Sequence, residues 1–290
     1  MKVLRDPADL SIARDDARRV GITVGLVPTM GYLHEGHNSL LKAAREQCDR
    51  VVMSLFVNPT QFRPGEDLGS YPRDEQRDLA IAREAGVDLV YAPEPEKIYP
   101  AGFATEVTVT GLTEVLCGSS DSRGPEHFSG VATIVAKLFN AVDPDFAYFG
   151  QKDAQQATVI KRMAEDLDFR TRVVVLPTVR DRDGLAMSSR NAYLSEGARE
   201  RAAAIWKALL ETESVYETAG LEAGLEAGRN ELERAGITPE YFEARFPGTL
   251  DPVEAGGDEA ILVAVAAEID GTRLIDNILI EPEKGKVQTT

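Results

Sequence analysis

Two histidines, His34 and His37, lie three residues apart in the segment PTMGYLHEGHN, which spans residues 28–38. The segment follows the apolar run 24–27 and precedes a helical pattern that begins at Ser39. A turn between a strand and a helix N-terminus directs backbone N–H groups and the positive end of the helix dipole to one place, which favours an anion. This turn is therefore a candidate anion-binding site.

Three interpretations of the two histidines are open. Imidazoles at this spacing can share a helix face as metal ligands, but His127 is the only other histidine and no cysteine is near in sequence. Buried core histidines are the second interpretation, although a glycine-containing turn after a strand is usually exposed. In the third, the imidazoles donate hydrogen bonds to phosphate oxygens, and Gly36 lets the backbone approach the phosphates closely.

The segment is not a P-loop, although Gly31 and Gly36 have the spacing of the glycines in one. A P-loop requires lysine and then serine or threonine after the second glycine, and here His37 and Asn38 occupy those positions. The sequence has no dinucleotide-binding GxGxxG pattern either. The segment therefore predicts a nucleotide site of a different kind.

Composition and charge exclude several classes of protein. The chain has 290 residues, of which 43% are hydrophobic and 28% charged, which is typical of a soluble globular protein of about two domains. Its net charge of -16 opposes nonspecific binding to nucleic acid and to anionic membranes. The sequence has no apolar signal region and no stretch long enough to span a membrane, and Cys48 and Cys117 match no zinc pattern. We therefore expect a cytoplasmic protein with reduced cysteines that binds neither nucleic acid nor membranes.

The order of predicted elements indicates an α/β fold. Apolar strands alternate with amphipathic helices from Thr23 to Pro177, which predicts a Rossmann-like parallel sheet with helices on both faces. Parallel sheets bind ligands beyond the carboxyl ends of their strands, so we expect the polar segments that follow four of these strands to converge on one cleft. These segments are the turn after Val27, residues 58–62, residues 150–153 and the residues after Pro177.

The composition changes towards the C-terminus, which predicts two domains. Residues 1–184 would form a Rossmann-like nucleotide-binding domain, and residues 185–290 a smaller α+β domain. A long helix is predicted over residues 195–213 and a weak helix over 220–236, where glycines at intervals of four allow close packing. Strands follow, joined by a hairpin turn at residues 269–272.

A second cluster of polar residues, MSSRN at 187–191, stands at the start of the C-terminal domain. Two hydroxyls, a guanidinium and an amide in succession can bind triphosphate oxygens, and a position between domains lets them close over a nucleotide. A solvated helix-capping loop is the alternative for so short a sequence. Together with the HxGH turn, in an α/β chain without a Walker A motif, the cluster resembles the nucleotidyltransferase superfamily related to class I aminoacyl-tRNA synthetases.

Five longer motifs occur in order between residue 20 and about residue 200. They are PTMGYLHEGH at 28–37, FVNPTQF at 56–62, RGPEHFSGV at 123–131, FGQKDAQQ at 149–156 and DGLAMSSRN at 183–191. Together they resemble the motifs of the pantothenate synthetase family. The C-terminal domain resembles that family only in outline. The resemblance implies that ATP and pantoate form a pantoyl adenylate with loss of pyrophosphate, after which β-alanine attacks and AMP leaves. It also implies Mg²⁺ with the ATP, and a homodimer.

The resemblance implies roles for individual residues. ATP would be bound by Met30, Gly31, Tyr32, Leu33, His34, Glu35, Gly36, His37, Gly150, Gln151, Lys152, Asp153, Val179, Met187, Ser188, Ser189 and Arg190. The catalytic residues among these would be His34, His37, Lys152, Ser188, Ser189 and Arg190. Asp153 would hold the ribose, and Val179 and Met187 would flank the adenine. Gln61 and Gln156 would bind pantoate, with Gln61 also near β-alanine, and no protein ligand of Mg²⁺ is implied.

The leading hypothesis is an ATP-dependent acid–amine ligase that makes pantothenate. Two positions depart from the family pattern, because Tyr32 replaces a smaller residue and Gln151 an acidic one. Another HxGH nucleotidyltransferase would not need both Gln61 and Gln156. A tRNA-charging enzyme is disfavoured by the acidic charge and the absence of a basic extension. The last alternative is a catalytically silent ATP-binding module, which would bind ATP without releasing pyrophosphate.

Overall fold

The structure is a computed structural model that describes residues 1–253 and 259–281. The sequence predicts a frayed tail over residues 281–290, of which residues 282–290 lie outside the described part. No helix in the described residues is both long and apolar enough to cross a membrane. The chain divides into two compact units, the first formed by Met1–Val179 and Met187–Ser189 and the second by Arg180–Ala186 and Arg190–Thr290.

The first unit contains a parallel sheet flanked by helices. Its strands are β1 (Lys2–Leu4), β2 (Val24–Thr29), β3 (Arg50–Leu55), β4 (Leu89–Tyr91), β5 (Phe146–Gly150) and β6 (Arg172–Leu176). Its helices are α1 (Pro7–Val20), α2 (Glu35–Gln47), α3 (Glu75–Glu84), α4 (Pro95–Ile98), α5 (Pro125–Val142) and α6 (Ala154–Asp166). In the described residues the six strands are ordered β1-β4-β3-β2-β5-β6, and every neighbouring pair is parallel. The predicted Rossmann-like sheet is confirmed.

Side chains on both faces of this sheet are buried. On one face, Val27 and Met53 lie in a single apolar cluster with Leu41 of α2. Leu26 and Val52 alternate with those strand residues, so their side chains point to the opposite face, and they are buried as well. Helix α5 packs against both α1 and α6, and α6 also packs on β5 and β6. The apolar runs of the sequence are therefore strands covered on both sides, as a parallel sheet requires.

The strand order reverses direction at β2. From β2 the chain builds the sheet outward through β3 to β4, and later returns to place β5 on the other side of β2. We call the junction of β2 and β5 the seam. At the seam, Val24 N donates to Asp145 Oδ2 at 2.7 Å. Where the order of a parallel sheet reverses, a crevice opens beyond the carboxyl ends of the two central strands. The turn after β2 and the segment after β5 therefore border one crevice.

The second unit is a small α+β structure. Its helices are α7 (Glu196–Ala202), α8 (Ala204–Ala219) and α9 (Leu221–Arg234), and its strands β7 (Pro239–Arg245), β8 (Ile261–Ile269) and β9 (Thr272–Ile280). The three strands found in the described residues form an antiparallel sheet in that order. The single long helix predicted over 195–213 is wrong, because Ala203 adopts ψ -19° and interrupts the helix between α7 and α8. The predicted hairpin turn is confirmed, with positive φ at Asp270 and Gly271.

The glycines of the GLEAGLEAG repeat allow α9 to pack closely on α8. A Cβ atom at Gly228 would lie 2.2 Å from Thr212 Oγ1, and one at Gly224 would lie 2.7 Å from Thr212 O. Thr212 is fully buried, and its hydroxyl donates to Ala208 O at 2.8 Å. The predicted close packing of this helix face is therefore confirmed.

The boundary between the units differs from the predicted one. Residues 180–186 form a small hairpin that belongs to the second unit. Arg180 makes a bidentate ion pair with Asp276 of β9, at 2.5 and 2.9 Å, and its guanidinium carbon lies 3.4 Å from the ring centroid of Trp206. The predicted boundary falls inside this hairpin. The structure instead keeps the hairpin whole and assigns Met187–Ser189 to the first unit.

Candidate active site

The turn after β2 holds both imidazoles through backbone N–H groups. His34 is the N-cap of α2, and its Nδ1 accepts a hydrogen bond from Gly36 N at 3.2 Å. His37 Nδ1 accepts from His34 N at 3.4 Å, which completes a capping box built from two histidines. The ring centroids are 4.1 Å apart. Because Nδ1 accepts in both rings, each neutral imidazole carries its proton on Nε2 and offers that N–H to a ligand.

The pKa of His37 lies well below its usual value of 6.5. Burial is the largest cause, because it disfavours the imidazolium, and the charges of His34 and Lys152 lower the pKa further. His37 is therefore neutral at pH 7. The effect of Lys152 on this ring also means that the segment after β5 lies close to the turn after β2, as expected from the strand pattern.

Acid is expected to destabilise the wild type more than the His37→Gln variant. The unfolded chain binds a proton at His37 near pH 6.5 and the folded chain does not, so the stability held by neutral His37 is complete above that pH and is lost below it. The loss approaches about 1.4 kcal/mol per pH unit for one proton. Urea unfolding of both proteins between about pH 7.5 and pH 5 measures the difference in their free energies of unfolding.

His34 and His127 are present in both proteins, so their own titrations largely cancel in this difference. A difference that stays constant over the whole pH range would show that the folded protein protonates His37 normally.

Lys152 lies in a short 3-10 turn, Gln151–Asp153, between β5 and α6. Its side chain is only 18% exposed, and its Nζ lies 3.7 Å from Asp153 Oδ1. Asp153 stands at the N-cap position of α6, but its carboxylate makes no capping hydrogen bond and is 46% exposed. The turn thus presents a largely enclosed cation beside an accessible carboxylate. A carboxylate of this kind can accept hydrogen bonds from sugar hydroxyls.

The segment Met187–Ser189 is attached to the rest of the first unit at both ends. Met187 N donates to Val179 O at 3.0 Å, which pairs the two residues expected to flank adenine. Ser189 is 7% exposed, and its hydroxyl donates to Tyr32 O at 3.2 Å. In this structure the Ser189 hydroxyl therefore holds the histidine turn. Ser188 beside it is half-buried.

The carboxamide of Gln61 is oriented by its neighbours. Gln61 ends the short 3-10 turn Pro59–Gln61 after β3 and is 8% exposed. Its Oε1 accepts from Asn58 Nδ2 at 3.0 Å, and its Nε2 lies 3.3 Å from Met30 Sδ as a donor. Asn58 is fixed in turn, because its Oδ1 accepts from the Tyr99 hydroxyl at 2.7 Å. The contact with Met30 brings the segment after β3 to the turn after β2.

His127 and Arg123, which were not among the predicted site residues, hold the backbone of Gln61. The ring of His127 donates from Nδ1 to Gln61 O at 2.7 Å, and Arg123 Nη2 donates to the same oxygen at 3.3 Å. Arg123 Nη1 lies 3.3 Å from His127 Nε2, which accepts from it in the tautomer that carries its proton on Nδ1. Arg123 is also paired with Glu66. Both residues belong to the motif RGPEHFSGV, and this motif is the signal in the sequence that could have identified them as site residues.

The two adjacent glutamines of α6 differ in burial and in hydrogen bonding. Gln155 is buried, and its Nε2 donates to Leu112 O at 2.9 Å and to Val115 O at 2.6 Å. Its Oε1 accepts from Cys117 N at 3.1 Å. Gln155 therefore holds a loop in place, and Gln156, which is half-buried, makes none of these bonds. This difference favours Gln156 as the glutamine that faces a substrate.

The remaining predicted site residues differ in which of their groups are accessible to a ligand. Leu33 is fully buried in the apolar cluster on α2, so only its backbone can contact a ligand. Glu35 is exposed and accepts from Asn38 Nδ2 at 3.1 Å. Arg190 belongs to the second unit. Other half-buried members of the predicted set include Met30, Tyr32, Gly36, Gly150, Gln151, Val179, Met187 and Ser188.

Comparison with known proteins agrees with this geometry. A family model described as pantoate-beta-alanine ligase matches residues 2–279 of the chain. The chain belongs to the pantoate-beta-alanine ligase family. A pantothenate synthetase from Moorella thermoacetica is 52% identical over 271 residues, which cover 91% of this chain and 93% of that protein. One from Acetivibrio thermocellus is 47% identical over 285 residues, 97% of this chain and 100% of that protein.

Solved structures of pantothenate synthetases have the same fold. The enzyme from Thermus thermophilus superposes with a TM-score of 0.90 at 45% identity and covers 97% of this chain and 100% of that one. The pantoate-beta-alanine ligase from Francisella tularensis, complexed with beta-gamma ATP and β-alanine, has a TM-score of 0.80 at 32% identity and covers 96% of this chain and 97% of that one. The family predicted from the five motifs, and its ligase class, are confirmed.

Proposed function

We propose that this ligase condenses pantoate with β-alanine at the expense of ATP and releases AMP and pyrophosphate. The proposal depends most on the pair of imidazoles, whose Nε2–H donors are fixed at the N-terminus of α2 close to the Lys152 ammonium. Two donors and a cation at a helix N-terminus are suited to a polyphosphate. The bound ligands of the Francisella relative support ATP and β-alanine as two of the three substrates.

In the first step, a carboxylate oxygen of pantoate attacks the α-phosphorus of ATP. The bond from that phosphorus to the bridging oxygen breaks, and pyrophosphate leaves with the electron pair. Phosphoryl transfer is accelerated mainly by positioning and by donors that stabilise charge on the phosphate oxygens. We assign His34 and His37 as such donors and Lys152 as the cation near the α-phosphate. Ser188, Ser189 and Arg190 remain the predicted pyrophosphate residues.

In the second step, the amine of β-alanine attacks the acyl carbon of pantoyl adenylate. The acyl C–O bond breaks, AMP leaves, and the new amide nitrogen loses a proton. We assign Gln61 and Gln156 to pantoate and Gln61 also to β-alanine. The contact with Asn58 fixes Oε1 of Gln61, so its Nε2 is the atom that can donate to a substrate oxygen. A neutral donor orients a carboxylate without the tight ion pair that would weaken it as a nucleophile.

We assign the nucleoside of ATP to the residues that the motifs predict for it. Asp153 would accept hydrogen bonds from the ribose hydroxyls, and its accessible carboxylate supports this role. Val179 and Met187 would flank the adenine, and the backbone bond between them supports a shared surface.

We propose that Mg²⁺ enters with ATP. In the described residues, no group of three or more His, Cys, Asp or Glu side chains could hold a metal. That finding is compatible with Mg²⁺, which is commonly bound by substrate phosphates and water with few protein ligands. Bound in this way, the ion would neutralise part of the phosphate charge. We therefore assign no protein ligand to it.

We also propose a homodimer and a cytoplasmic location. The homodimer is supported by residues 105–110, a run rich in threonine and valine that is typical of a strand but pairs with no strand in the part of the chain that the structure describes. A second copy could pair with them. The cytoplasmic location is supported by Cys48 and Cys117, which are both buried and are present as thiols.

The test of the function is the release of AMP and pyrophosphate from ATP, Mg²⁺ and pantoate, with and without β-alanine. Sustained release of both products only with β-alanine, together with pantothenate detected by mass, is the expected result. Binding of ATP without release in either assay would favour the silent ATP-binding module. Turnover with a different acid, but not with pantoate, would show that the substrate is misassigned.

The Gln61→Ala variant is expected to raise the KM for pantoate by about 10-fold to 100-fold, because it removes a hydrogen bond to a charged substrate. The KM for ATP should change by less than about threefold, because the side chain of Gln61 contacts the histidine turn through the thioether of Met30. Steady-state kinetics with each substrate varied measure both constants. Gln76→Ala, at an exposed glutamine of α3, is the matched control. Equal losses for pantoate and ATP would show that the 58–62 segment does not bind pantoate.

A further inference from the structure

The turn that carries the histidines has a backbone conformation that needs support from elsewhere. Gly31 and Tyr32 have φ values of 87° and 50°. The left-handed region suits glycine and is unfavourable for tyrosine, whose Cβ is crowded there. A Cβ at Gly31 would lie 2.8 Å from Leu55 Cδ1 and 2.9 Å from Asp78 Oδ2. The backbone of the turn therefore lies directly against a carboxylate.

That carboxylate binds two successive N–H groups of the turn. Asp78 Oδ2 accepts from Tyr32 N at 2.8 Å, and Asp78 Oδ1 accepts from Leu33 N at 2.7 Å. Asp78 lies in the first turn of α3 and is 1% exposed. The positive end of a helix dipole favours a negative charge at this position. Both carboxylate oxygens of this buried side chain thus accept hydrogen bonds from the residues just before His34.

The surroundings of Asp78 are arranged around the same two residues. Burial raises the pKa of Asp78, while the bonds from Leu33 and Tyr32 and the charge of Arg77 oppose that rise. Arg77 Nη1 lies 4.0 Å from Asp78 Oδ1, and its guanidinium carbon lies 5.2 Å from the ring centroid of Tyr32. On its carbonyl side, Tyr32 accepts from the Ser189 hydroxyl. Tyr32 is therefore held through its N–H, its ring and its carbonyl.

We propose that Asp78 is a positioning residue for adenylate formation. By fixing Tyr32 and Leu33, it sets where α2 begins and hence where the Nε2–H donors of His34 and His37 stand. Asp78 acts through the turn, because its buried side chain lies beneath the backbone that a phosphate would approach. This inference rests on the proposed function for its kinetic consequence, although the effect on the imidazoles does not depend on catalysis.

Asp78→Asn and Asp78→Ala test the proposal. Asparagine replaces one acceptor oxygen with an NH₂ group that faces a backbone N–H, and alanine removes both acceptors. We expect kcat for pyrophosphate release to fall about 10-fold to 100-fold in both variants, while the KM for pantoate stays within about twofold, because misplaced donors weaken transition-state stabilisation. Asp74→Ala is the matched control. Asp74 caps the same helix through Arg77 N at 3.0 Å, so its loss should lower the melting temperature without lowering kcat.

A second readout is the nitrogen spectrum of the histidine rings in the ligand-free protein. The chain has three histidines, so each ring can be assigned. In Asp78→Asn the signals of His34 and His37 should move and that of His127 should stay. Unmoved ring signals with wild-type kcat would overturn the proposal. If the wild type releases no pyrophosphate, the proposed function fails and the ring spectra alone decide the role of Asp78; if the alanine variant does not fold, the asparagine variant decides it.

Discussion

The His37→Ala variant is expected to release pyrophosphate about 100-fold to 1000-fold more slowly than the wild type, the usual loss when a preorganised donor to a transition state is removed. The N-terminus of α2 and the Lys152 ammonium would remain, so some rate should persist. Single-turnover release of pyrophosphate from ATP and pantoate measures the adenylation step by itself. Asn38→Ala, at the adjacent helix position, should keep the wild-type rate. A His37→Ala rate within threefold of the wild type would exclude His37 from catalysis.

Two further substitutions distinguish the structural role of the His37 ring from its proposed catalytic role. Its Nδ1 accepts from His34 N, whereas its Nε2–H is the proposed phosphate donor. The side-chain oxygen of asparagine can take the place of Nδ1, and the NH₂ group of glutamine can reach the place of Nε2. His37→Asn should therefore retain more stability, and His37→Gln more activity. If both variants lose activity and stability in the same proportion, His37 serves only the fold.

The Lys152→Met variant is expected to lower the adenylation rate by about 100-fold to 1000-fold, because it removes a largely enclosed positive charge that, in the proposed function, faces the developing negative charge. Methionine keeps most of the aliphatic volume, so folding should be little affected. Lys152→Arg should recover part of the rate, since charge is retained and the position of the charge is changed. Lys161→Met, at an exposed lysine of α6, is the matched control.

This variant also has a signature that does not need turnover. Lys152 is one of the causes that lower the pKa of His37, so the pKa of His37 should rise in Lys152→Met. A titration of the His37 ring by NMR measures that rise. A rate within tenfold of the wild type, with an unmoved His37 titration, would show that Lys152 does not face the phosphate site.

Much of the first unit could be predicted because its strands and helices are specified by local sequence patterns. Apolar runs ended by Pro, Gly or Asn predict buried strands, and helical patterns between them predict a parallel sheet. The polar segments after β2 and β3 then had to lie on one edge, and the contact of Gln61 with Met30 shows that they do. The residue-by-residue roles came from the five motifs, since a bare glutamine or lysine carries no such information.

The features that could not be predicted are contacts between parts of the chain that are distant in sequence. Asp78 stands in a charged helix and looks like a surface residue, yet it is buried by the turn 45 residues before it. Ser189 binds a backbone carbonyl 157 residues away, which no local pattern records. The boundary between units was displaced for the same reason, because Arg180 pairs with Asp276 across 96 residues.

The seam between β2 and β5 has a consequence for how the chain acquires activity. Val24 and Asp145 meet there across 121 residues, so closing the seam requires the ordering of a very long loop. The histidine turn lies on one side of that seam and Lys152 on the other. Non-local pairing of this kind forms slowly, and a chain that has not yet paired β5 with β2 has only half of the proposed phosphate site. A nucleotide that needs both halves would stabilise the assembled sheet by mass action, so ATP would act on this chain as a folding ligand as well as a substrate.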